Sequence, residues 1–565
     1  MDDYKPKTQS LLNNTSSIRL FLAIRKLSLV LVAIVLGCDD GTSPPLSSLS
    51  FSSTSITLSS LGETYQLKIS AKTTGDEDFQ NPSVEWSSVN TEIAGVSKTG
   101  LVTAVTNGTT EIVARKGALT ANISVVVHQK PTNLVVSINK VRFENIGDTA
   151  QLYAAASDAL GNVLLDPNLN WISSNTSIAA VSPSGLVTAI NLGTTDIAVE
   201  AENVSAMTNI TVSHWDRITP GYKMTCGIRT SHEVYCWGNN EHGQIGDGTT
   251  TEHDRPKAIA EDQLWASIVS MVYHSCGILT SQQSFCWGRN NYGQLGIGSS
   301  EEHYRPTEIA EDLPLETIEG GFQHSCSITS LGTIKCWGRN NYGQLGTGNG
   351  ADQLLPTDIS TQLNWVDIAA GSYHTCAIAN SDRIYCWGLN QFGQLGNGTT
   401  VDRNNPHELT EQDFWTKISA GLYHTCAINQ AGEAYCWGLN DQKQLGSERN
   451  QSQWPYPDKV KTLNLWTDIS AGRSHTCGLN DTRQAFCWGD NEYGQLGDSS
   501  QNDRPSPVPV NGNHTWKDIE AGVYHTCGVT ISGVGYCWGN NEYSQLGDHT
   551  DLVRTIPRKI GITKY

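Results

Sequence analysis

The sequence predicts an all-β protein in which two small β-sandwiches precede a seven-bladed β-propeller. Three observations lead to this prediction. A unit of about fifty residues with a Cys-x9-Cys pair recurs seven times toward the C-terminus, and a different unit occurs twice before it. The 565 residues also include 53 glycines, which favours many tight turns. A repeat of this length is one supersecondary unit that buries its faces against its neighbours.

The charge of the chain argues against a nucleic-acid partner. The formal net charge is −19, and no run of Lys and Arg supplies the dense basic stripe that a duplex-binding surface needs. We therefore expect no nucleic acid and no anionic membrane surface among the partners. The membrane contact that we do expect is a lipid at the N-terminus.

The N-terminus is predicted to be an export signal. Arg25-Lys26 precedes the apolar run Leu27–Leu36, which is too short to span a bilayer. Val35-Leu36-Gly37-Cys38 resembles the bacterial lipobox, which implies cleavage before Cys38 and lipid attachment to it. An ordinary signal peptide or an uncleaved anchor is the alternative. We predict a lipoprotein-type signal peptide at 1–37, a tether at 38–48, and a location in the bacterial cell envelope, at the cell surface or on a periplasm-facing membrane.

The unit that occurs twice is predicted to be a β-sandwich. Trp86 and Trp171, 85 residues apart, each lie among short β-branched runs separated by Gly, Asn and Ser turns. Both copies continue with Gly-Leu-Val-Thr-Ala and Gly-Thr-Thr. This pattern closely resembles the bacterial Ig-like domain (group 2). The resemblance implies Ig-like spacer domains at 49–128 and 131–213, and we expect the two tryptophans to anchor their cores.

Each cysteine pair is predicted to be a disulfide across a β-hairpin. In the fifth copy, placing Cys426 opposite Cys436 leaves the loop Gln430-Ala431-Gly432, with glycine where a left-handed residue is needed. Opposed residues bring their β-carbons to about 4.5–5.5 Å, close to disulfide distance. Free thiols or a metal site are the alternatives, and zinc ligands are usually only about two to four residues apart. The predicted bridges, which require an oxidising compartment, are Cys226–Cys236, Cys276–Cys286, Cys326–Cys336, Cys376–Cys386, Cys426–Cys436, Cys477–Cys487 and Cys527–Cys537.

Both faces of these hairpins are apolar, which predicts propeller blades. Strand alternation places Tyr435 and Trp437 on one face and Cys436 on the other. Short strands buried on both sides suit a blade wedged between two neighbours, and a further strand is expected after each Gly-Gln-Leu-Gly loop, as at Arg305–Ile309. The string His-Thr-x-Ala-Ile…Tyr-x-Trp-Gly-x-Asn-x-x-Gly-Gln-Leu-Gly closely resembles the regulator of chromosome condensation repeat. The resemblance implies a seven-bladed propeller over 214–565.

Residues that recur in the copies are predicted to be structural. Six copies carry a histidine two residues before the first cysteine, which places it on a strand face packed between blades; a metal-binding ring is the less favoured alternative. A recurring asparagine is expected to satisfy backbone groups of a turn. No metal and no cofactor is therefore predicted. The six histidines are His274, His324, His374, His424, His475 and His525.

Binding specificity is expected where the copies differ. One variable position precedes the recurring histidine and another precedes Gly-Gln; both often carry aromatic residues, which are typical anchors of interfaces. The alternative is that these rings only cover the blade ends. Trp454 lies outside the repeat pattern and is added as a possible exposed ring. The candidate binding residues are Tyr273, Tyr373, Tyr423, Tyr524, Tyr292, Tyr342, Phe392, Tyr493, Tyr543 and Trp454.

These features predict a monomeric, exported, non-enzymatic binding or adhesion protein whose propeller takes a protein or glycan ligand. No Gly-x-Ser-x-Gly, phosphate-loop, His-Glu-x-x-His or EF-hand motif occurs. The first alternative is an inhibitor of an exported hydrolase, since a bacterial β-lactamase inhibitory protein shares the propeller family. Guanine nucleotide exchange, the best-known activity of the family, fits poorly because the nuclear GTPase would lie across a membrane. A lyase or hydrolase built on propeller loops is the remaining class.

Overall fold

The structure contains only strands, bridges and turns. The computed structural model describes residues 45–80, 82–409, 413–447 and 449–561, and the predicted all-β class is confirmed over them. None of these residues forms a helix that could cross a membrane. Cys38, the predicted signal peptide and most of the predicted tether lie outside the described residues. The chain divides into two compact units, Met1–His128 and Gln129–Tyr565.

The first unit is a small sandwich of ten strands around one apolar core. Ser55–Leu58 pairs parallel to Leu119–Val127, and the other strand pairs are antiparallel. Trp86 is half-buried against this core, and its ring packs so closely on Gly100 that a β-carbon there would lie 2.8 Å from it. The strands are Leu46–Phe51, Ser55–Leu58, Thr64–Gln66, Ile69–Thr73, Asp78–Gln80, Glu85–Ser88, Ala94–Val96, Leu101–Ala104, Gly108–Lys116 and Leu119–Val127.

The second unit begins with a sandwich of the same design. Lys140–Phe143 pairs parallel to Val204–Val212, and Trp171 is half-buried against the core beside Gly185. The two tryptophans thus pack at the margins of their cores, where glycine leaves room for the indole. The strands are Asn133–Val136, Lys140–Phe143, Thr149–Gln151, Ala154–Ser157, Asn170–Ser173, Ala179–Val181, Leu186–Ala189, Gly193–Ala201 and Val204–Val212.

The rest of the second unit is a propeller of seven four-stranded antiparallel sheets, each built from four consecutive strands. The inner strands line a central channel, and the expected further strand forms the outer edge of each blade. The inner strands are Trp215–Pro220, Trp265–Ser270, Leu315–Gly320, Trp365–Ala370, Trp415–Ala420, Trp466–Ala471 and Trp516–Ala521. The second strands are Met224–Arg229, His274–Leu279, His324–Thr329, His374–Ala379, His424–Asn429, His475–Asn480 and His525–Thr530. The third strands are Val234–Gly238, Ser284–Gly288, Ile334–Gly338, Ile384–Gly388, Ala434–Leu439, Ala485–Gly489 and Gly535–Gly539. The outer strands are His253–Ile259, His303–Glu308, Gln353–Asp358, Arg403–Glu408, Gln453–Lys459, Arg504–Pro509 and Arg554–Lys559.

A disulfide joins the second and third strands of every blade. All seven predicted cysteine pairs are bonded, and the fourteen cysteines of these pairs are fully buried. Cys426 and Cys436 are direct partners across the hairpin with their α-carbons 4.1 Å apart, the narrow spacing of a non-hydrogen-bonded antiparallel pair. Gly432 of the hairpin loop has a φ of 77°, as the left-handed position requires.

The recurring histidines join neighbouring blades. In each of six interfaces the histidine Nε2 lies 2.8–3.0 Å from a Ser or Thr hydroxyl of the next blade. Each hydroxyl donates its proton to the carbonyl of the recurring Gln in the loop after a third strand, as Thr425 does to Gln394, so it accepts from the imidazole. Burial lowers the pKa of His374 to about 3, and it does the same for the other five. The histidines are therefore neutral, buried structural groups.

Each Gly-Gln-Leu-Gly loop docks on the following blade through its backbone. The carbonyl of Gln394 also accepts a hydrogen bond of 2.9 Å from the indole of Trp437, and the same contact occurs at all seven interfaces. Gly396 has a φ of 67°, and a β-carbon there would lie 2.7 Å from that indole nitrogen. Asn390 holds the same loop by accepting from the amide of Leu395, as predicted for the recurring asparagine. The residues of this loop therefore recur because they form the interface between blades.

The second sandwich is attached to the end of the propeller where the hairpin turns lie. Arg142 Nε lies 3.2 Å from Glu233 in the hairpin turn of blade 1, and its Nη2 lies 2.8 Å from Glu261. Arg229 of the same hairpin is fully buried and donates to Ser213, the residue that follows the last strand of the sandwich. The opposite end of the propeller, with the loops between inner and second strands, points away from these contacts.

Candidate functional site: an aromatic rim at one mouth of the channel

Two variable residues lie in each loop between an inner and a second strand, at the mouth of the channel away from the second sandwich. The loop begins with a small or apolar residue and ends at the recurring histidine, as in Gly321-Phe322-Gln323-His324. The loop closes by a hydrogen bond from the amide of Gly321 to the carbonyl of His324. Both variable side chains are therefore presented at the same mouth.

Aromatic side chains from five blades form a continuous arc at this mouth. Tyr524 contacts Tyr222, which contacts Tyr273, followed by Phe322 and Tyr373. The ring centroids of successive members are 5.7, 5.9, 5.4 and 5.7 Å apart. All five are half-buried, and we call them the aromatic rim. Ring contacts of this kind hold large amphipathic side chains in fixed positions.

A second set of rings, which precede Gly-Gln in the loops after the third strands, supports the rim from outside. Tyr493 packs on Tyr524 at 5.4 Å, and Tyr342 packs on Tyr373 at 5.4 Å. Phe392 and Tyr423 form a separate pair at 5.1 Å. The structure thus brings most of the sequence-predicted aromatics into one layer.

The three remaining predicted residues have other contacts. Tyr292 and Tyr543 each contact a cation beside the rim. Arg339 lies 4.8 Å from the ring of Tyr292, and Lys223 lies 3.9 Å from the ring of Tyr543. Trp454 belongs elsewhere: it lies on the outer strand of blade 5, half-buried, with the guanidinium of Arg449 3.8 Å from its ring.

Two members of the rim were missed by the sequence reasoning. Tyr222 and Phe322 occupy the first variable position of their loops, and only the second had been considered. Strand alternation would send neighbouring residues to opposite faces, but these positions lie in a loop. The signal was present, since the first position also varies among the seven copies.

Four cations lie on the rim rings rather than against carboxylates. Arg289 is 5.1 Å from the ring of Tyr273, and Arg473 is 4.7 Å from that of Tyr524. Lys223 is 5.1 Å from the ring of Tyr222, and Arg339 is 5.6 Å from that of Tyr373. Among the described residues none of the four has a carboxylate oxygen within 4.0 Å. Burial raises the pKa of the Tyr273 and Tyr373 hydroxyls. The rim is therefore a layer of neutral phenols and positive side chains.

The channel beneath the rim has the opposite charge. It is a cavity of about 650 Å³ lined by the inner strands. Seven carboxylates of blades 1, 3, 4, 6 and 7 line it, against the four cations Arg217, Lys417, Arg473 and Lys517. Their convergence arises only when the ring closes. The carboxylates are Asp216, Glu316, Glu319, Asp367, Asp468, Asp518 and Glu520.

Most of these carboxylates are engaged by the walls of the channel. Glu520 pairs with Arg217 at 2.6 Å and accepts from Ser470. Asp367 accepts from the amide of Ile418 at 3.2 Å. Burial raises the pKa of Glu319 to about 8, which leaves this carboxyl largely protonated at neutral pH.

The channel contains few groups for catalysis. Among the described residues no histidine lines it, and Cys276 in its wall is in a disulfide. Nowhere among the described residues do three His, Cys, Asp or Glu side chains come together as metal ligands.

Comparison with known families places the repeat region. The model of the RCC1-like domain matches residues 174–416. Models of the regulator of chromosome condensation (RCC1) repeat match segments within 415–545. The repeat region belongs to the regulator of chromosome condensation repeat family. The bacterial Ig-like domain (group 2) matches 46–127, so the RCC1-type propeller is preceded by a domain of this type, as predicted.

Solved structures share the propeller fold at low identity. Yeast RCC1 (Prp20) bound to Kap60 is 21% identical with a TM-score of 0.53, covering 59% of this chain and 84% of that chain. Human WBSCR16 is 20% identical with a TM-score of 0.52, covering 57% of this chain and 89% of that chain. At this identity the likeness shows the fold of the RCC1-type propeller and not its activity.

One curated relative is more similar in sequence but over a shorter stretch. Ice-binding protein 1 of Shewanella frigidimarina (strain NCIMB 400) is 31% identical over 196 residues, which is 34% of this chain. The chain spans only about a fifth of the length of that relative.

Proposed function

We propose that this protein is an exported, non-enzymatic binding protein that presents the aromatic rim of its propeller to a ligand. The Ig-like domains act as spacers, and the lipid on Cys38 anchors the chain to the bacterial envelope. A fold with seven buried disulfides suits an oxidising compartment, in agreement with export. The partial match to an ice-binding protein concerns a fifth of that protein, and we propose no ice binding here.

The observation that carries the proposal is the position of the rim. The aromatic arc from Tyr524 to Tyr373 lies at the end of the propeller opposite to the hairpin turns that hold the second sandwich through Arg142. A ligand can therefore reach the rim while the sandwich occupies the other end. Rigid Tyr, Phe and Arg side chains on short loops are the composition of interface hot spots.

The channel supports binding better than catalysis. Its carboxylates contact Arg217, Ser470 and backbone amides, contacts that hold the inner strands together. A hydrolase or lyase would need a free general base beside a nucleophile within hydrogen-bond reach. Among the described residues no histidine lines the channel, and Glu520, which accepts from Ser470, is held in an ion pair with Arg217.

The proposal is tested by ligand capture with the mature full-length chain. Envelope and culture-medium fractions of the producing organism are cross-linked to the wild type and to Tyr273→Ala/Phe322→Ala/Tyr373→Ala. We expect a discrete ligand that the wild type retains and the triple variant loses. The matched control is Tyr304→Ala/Tyr456→Ala, which removes two exposed rings from outer strands.

Thermal unfolding shows whether each variant is folded before capture is scored. If the triple variant captures the same ligand as the wild type at equal yield, the rim is not the binding face. Lipid attachment is tested separately by palmitate labelling, which we expect Cys38→Ala to abolish. Unchanged labelling would remove the anchor from the proposal.

A further inference from the structure

We propose that the part of the rim on blades 2 to 4 binds an acidic segment of a partner protein, an inference that rests on the proposed function and names the chemistry of the ligand. We call this part the basic sector. It consists of Tyr273, Arg289, Phe322, Arg339 and Tyr373.

The loop segments that carry the side chains of the basic sector contain no acidic residue. Residues 271–274, 289–292, 321–324, 339–342 and 371–374 carry aromatic, amide, small and basic side chains but no Asp or Glu. The corresponding loops of the other blades do carry them: Glu241 in blade 1, Asp441 in blade 5, Asp490 and Glu492 in blade 6, and Glu542 in blade 7. The positive charge of Arg289 and Arg339 is therefore not balanced within these segments, although the chain as a whole is strongly acidic.

Carboxylates near the sector have other partners. Glu302 lies 3.0 Å from Nδ1 of His242, and Glu241 lies 3.6 Å from Nε2 of the same ring. Asp352 accepts a hydrogen bond of 2.7 Å from the amide of Asn340. None of the three forms an ion pair with Arg289 or Arg339.

The two arginines are held in position but keep donors for a ligand. Arg339 donates to Gln323 at 2.6 Å and lies 5.6 Å from the ring of Tyr373. The guanidinium of Arg289 lies against Tyr273 and has no hydrogen-bond partner among the described residues. A guanidinium has five N–H donors in a planar fork that matches a carboxylate. Placing that fork on an aromatic face reduces the freedom it loses when a carboxylate binds.

Composition favours a protein over an acidic glycan. Interface cores between proteins are enriched in Tyr, Phe and Arg and depleted in Lys, Glu and Asp, and the loops of the basic sector follow this rule. Tyr273 and Phe322 meet edge to face at 89°, and Phe322 and Tyr373 are tilted by 36°. Neighbouring rings therefore do not form the flat, parallel platform on which successive sugar rings would stack.

The test measures binding of immobilised mature protein to poly-L-glutamate, an acidic polypeptide, and to polygalacturonate, an acidic glycan. We expect poly-L-glutamate to bind more tightly than polygalacturonate. We expect Arg289→Met/Arg339→Met to weaken poly-L-glutamate binding by about tenfold or more, the range of interface hot spots. Arg289→Lys/Arg339→Lys should restore part of it, because charge is kept and the planar fork is lost.

The control pair is Arg255→Met/Arg383→Met. Arg383 lies 5.2 Å from the ring of Phe414 at the opposite end of the propeller, so the pair removes the same charge and the same kind of ring contact away from the rim. If both Met pairs lose binding equally, the loss comes from the change in net charge alone, and the proposal is overturned. Absence of poly-L-glutamate binding, or tighter binding of polygalacturonate, would overturn it as well.

The failure of this inference is distinguishable from failure of the proposed function. If Tyr273→Ala/Phe322→Ala/Tyr373→Ala loses the captured ligand while Arg289→Met/Arg339→Met keeps it, the rim is a binding face without the acidic specificity. If both variants keep the ligand, the rim is not the binding face, and the proposed function is overturned.

Discussion

The Nε2 atom of His525 lies 2.8 Å from the hydroxyl oxygen of Thr225, and this contact joins the last blade of the propeller to the first. The two residues are 300 positions apart. Because each blade uses its own four consecutive strands, no strand is shared between the two ends of the array. Ring closure therefore depends on side-chain and loop contacts, among them this hydrogen bond and the ion pair of Arg217 with Glu520.

Removing the Thr225 hydroxyl should weaken the closure of the ring. Thr225→Val leaves the imidazole of His525 and the carbonyl of Gln545 each without one partner, and we expect the free energy of unfolding to fall by about 2–3 kcal/mol. Urea unfolding measures this. Thr425→Val removes the same contact between blades 4 and 5, which remain joined by the chain. Only Thr225→Val should accelerate amide exchange in Trp516–Ala521; equal exchange in both variants would contradict the closure argument.

The six buried histidines predict loss of stability in mild acid. Their pKa is about 3 in the folded state, against an ordinary value near 6.5 in the unfolded chain. The unfolded state thus binds more protons below pH 6.5, and stability falls as the pH is lowered. Between pH 7.5 and 5.5 each histidine should contribute about 1.4 kcal/mol of this loss.

The carboxyls of Glu319 and Asp518 act in the opposite direction. Burial raises the pKa of both, and also that of Asp367, Asp468 and Asp490, so these carboxyls favour the folded state as the pH falls and offset part of the effect of the histidines. His374→Gln keeps a donor toward Thr425 and should make the pH dependence of urea unfolding shallower by about one proton. Glu319→Gln should make it steeper. A slope unchanged in His374→Gln would show that this imidazole is not held neutral.

Each disulfide should stabilise its blade. Replacing both Cys376 and Cys386 by alanine opens a short hairpin loop and should lower the free energy of unfolding by about 3 kcal/mol in the chain-entropy model. Thermal or urea unfolding measures the loss. In the native wild type the fourteen cysteines of the propeller should resist alkylation with and without mild reductant, since all fourteen are buried. Labelling of a propeller cysteine in the native protein would contradict the bonded state.

The last glycine of the Gly-Gln-Leu-Gly loop should tolerate no side chain. Gly396→Ala combines an unfavourable left-handed φ with a β-carbon 2.7 Å from the indole of Trp437, and we expect a loss of more than about 1 kcal/mol. Gly350→Ala is the matched loop control, because its nearest neighbour would be 3.7 Å away. Similar melting temperatures for the two variants would exclude a steric role for Gly396.

The ion pair between the second sandwich and blade 1 should be stronger than a surface pair. A double-mutant cycle on Arg142 and Glu233, which are 3.2 Å apart and largely shielded from solvent, should give a coupling of about 1 kcal/mol. The pair of Lys72 with Asp78 in the first sandwich is exposed and should give a smaller coupling. Equal couplings would mean that the sandwich is not tightly held at this point.

Features that depend on local spacing were predictable. The register that puts Cys426 opposite Cys436 follows from a hairpin of fixed loop length, and the left-handed position of Gly432 follows from the same loop. The place of the recurring histidines between blades also followed, because a residue two positions from a buried cysteine shares its strand face. The hydroxyl groups that these histidines contact, some fifty residues away in most cases, could not be predicted from the sequence.

The candidate site could be predicted only in part. Tyr273 and Tyr373 were found because they vary at a position next to a recurring one, but Phe322, which lies between them, was missed. Trp454 was grouped with the rim because it breaks the repeat pattern, and the structure places it on an outer strand under Arg449. Variation indicates which residues are free to differ, and it does not indicate which of them meet.

Whether a feature could be predicted from the sequence depends on how far apart in the chain its contacting residues lie. Repeat period, cysteine spacing and strand alternation specify the blade and its disulfide, because the partners lie within one hairpin. The arc from Tyr524 through Tyr222 to Tyr373, and the gathering of Glu319 with Glu520 in one channel, arise only when blade 7 meets blade 1. Residues hundreds of positions apart then become neighbours through the curvature of the ring, a property that no single repeat contains.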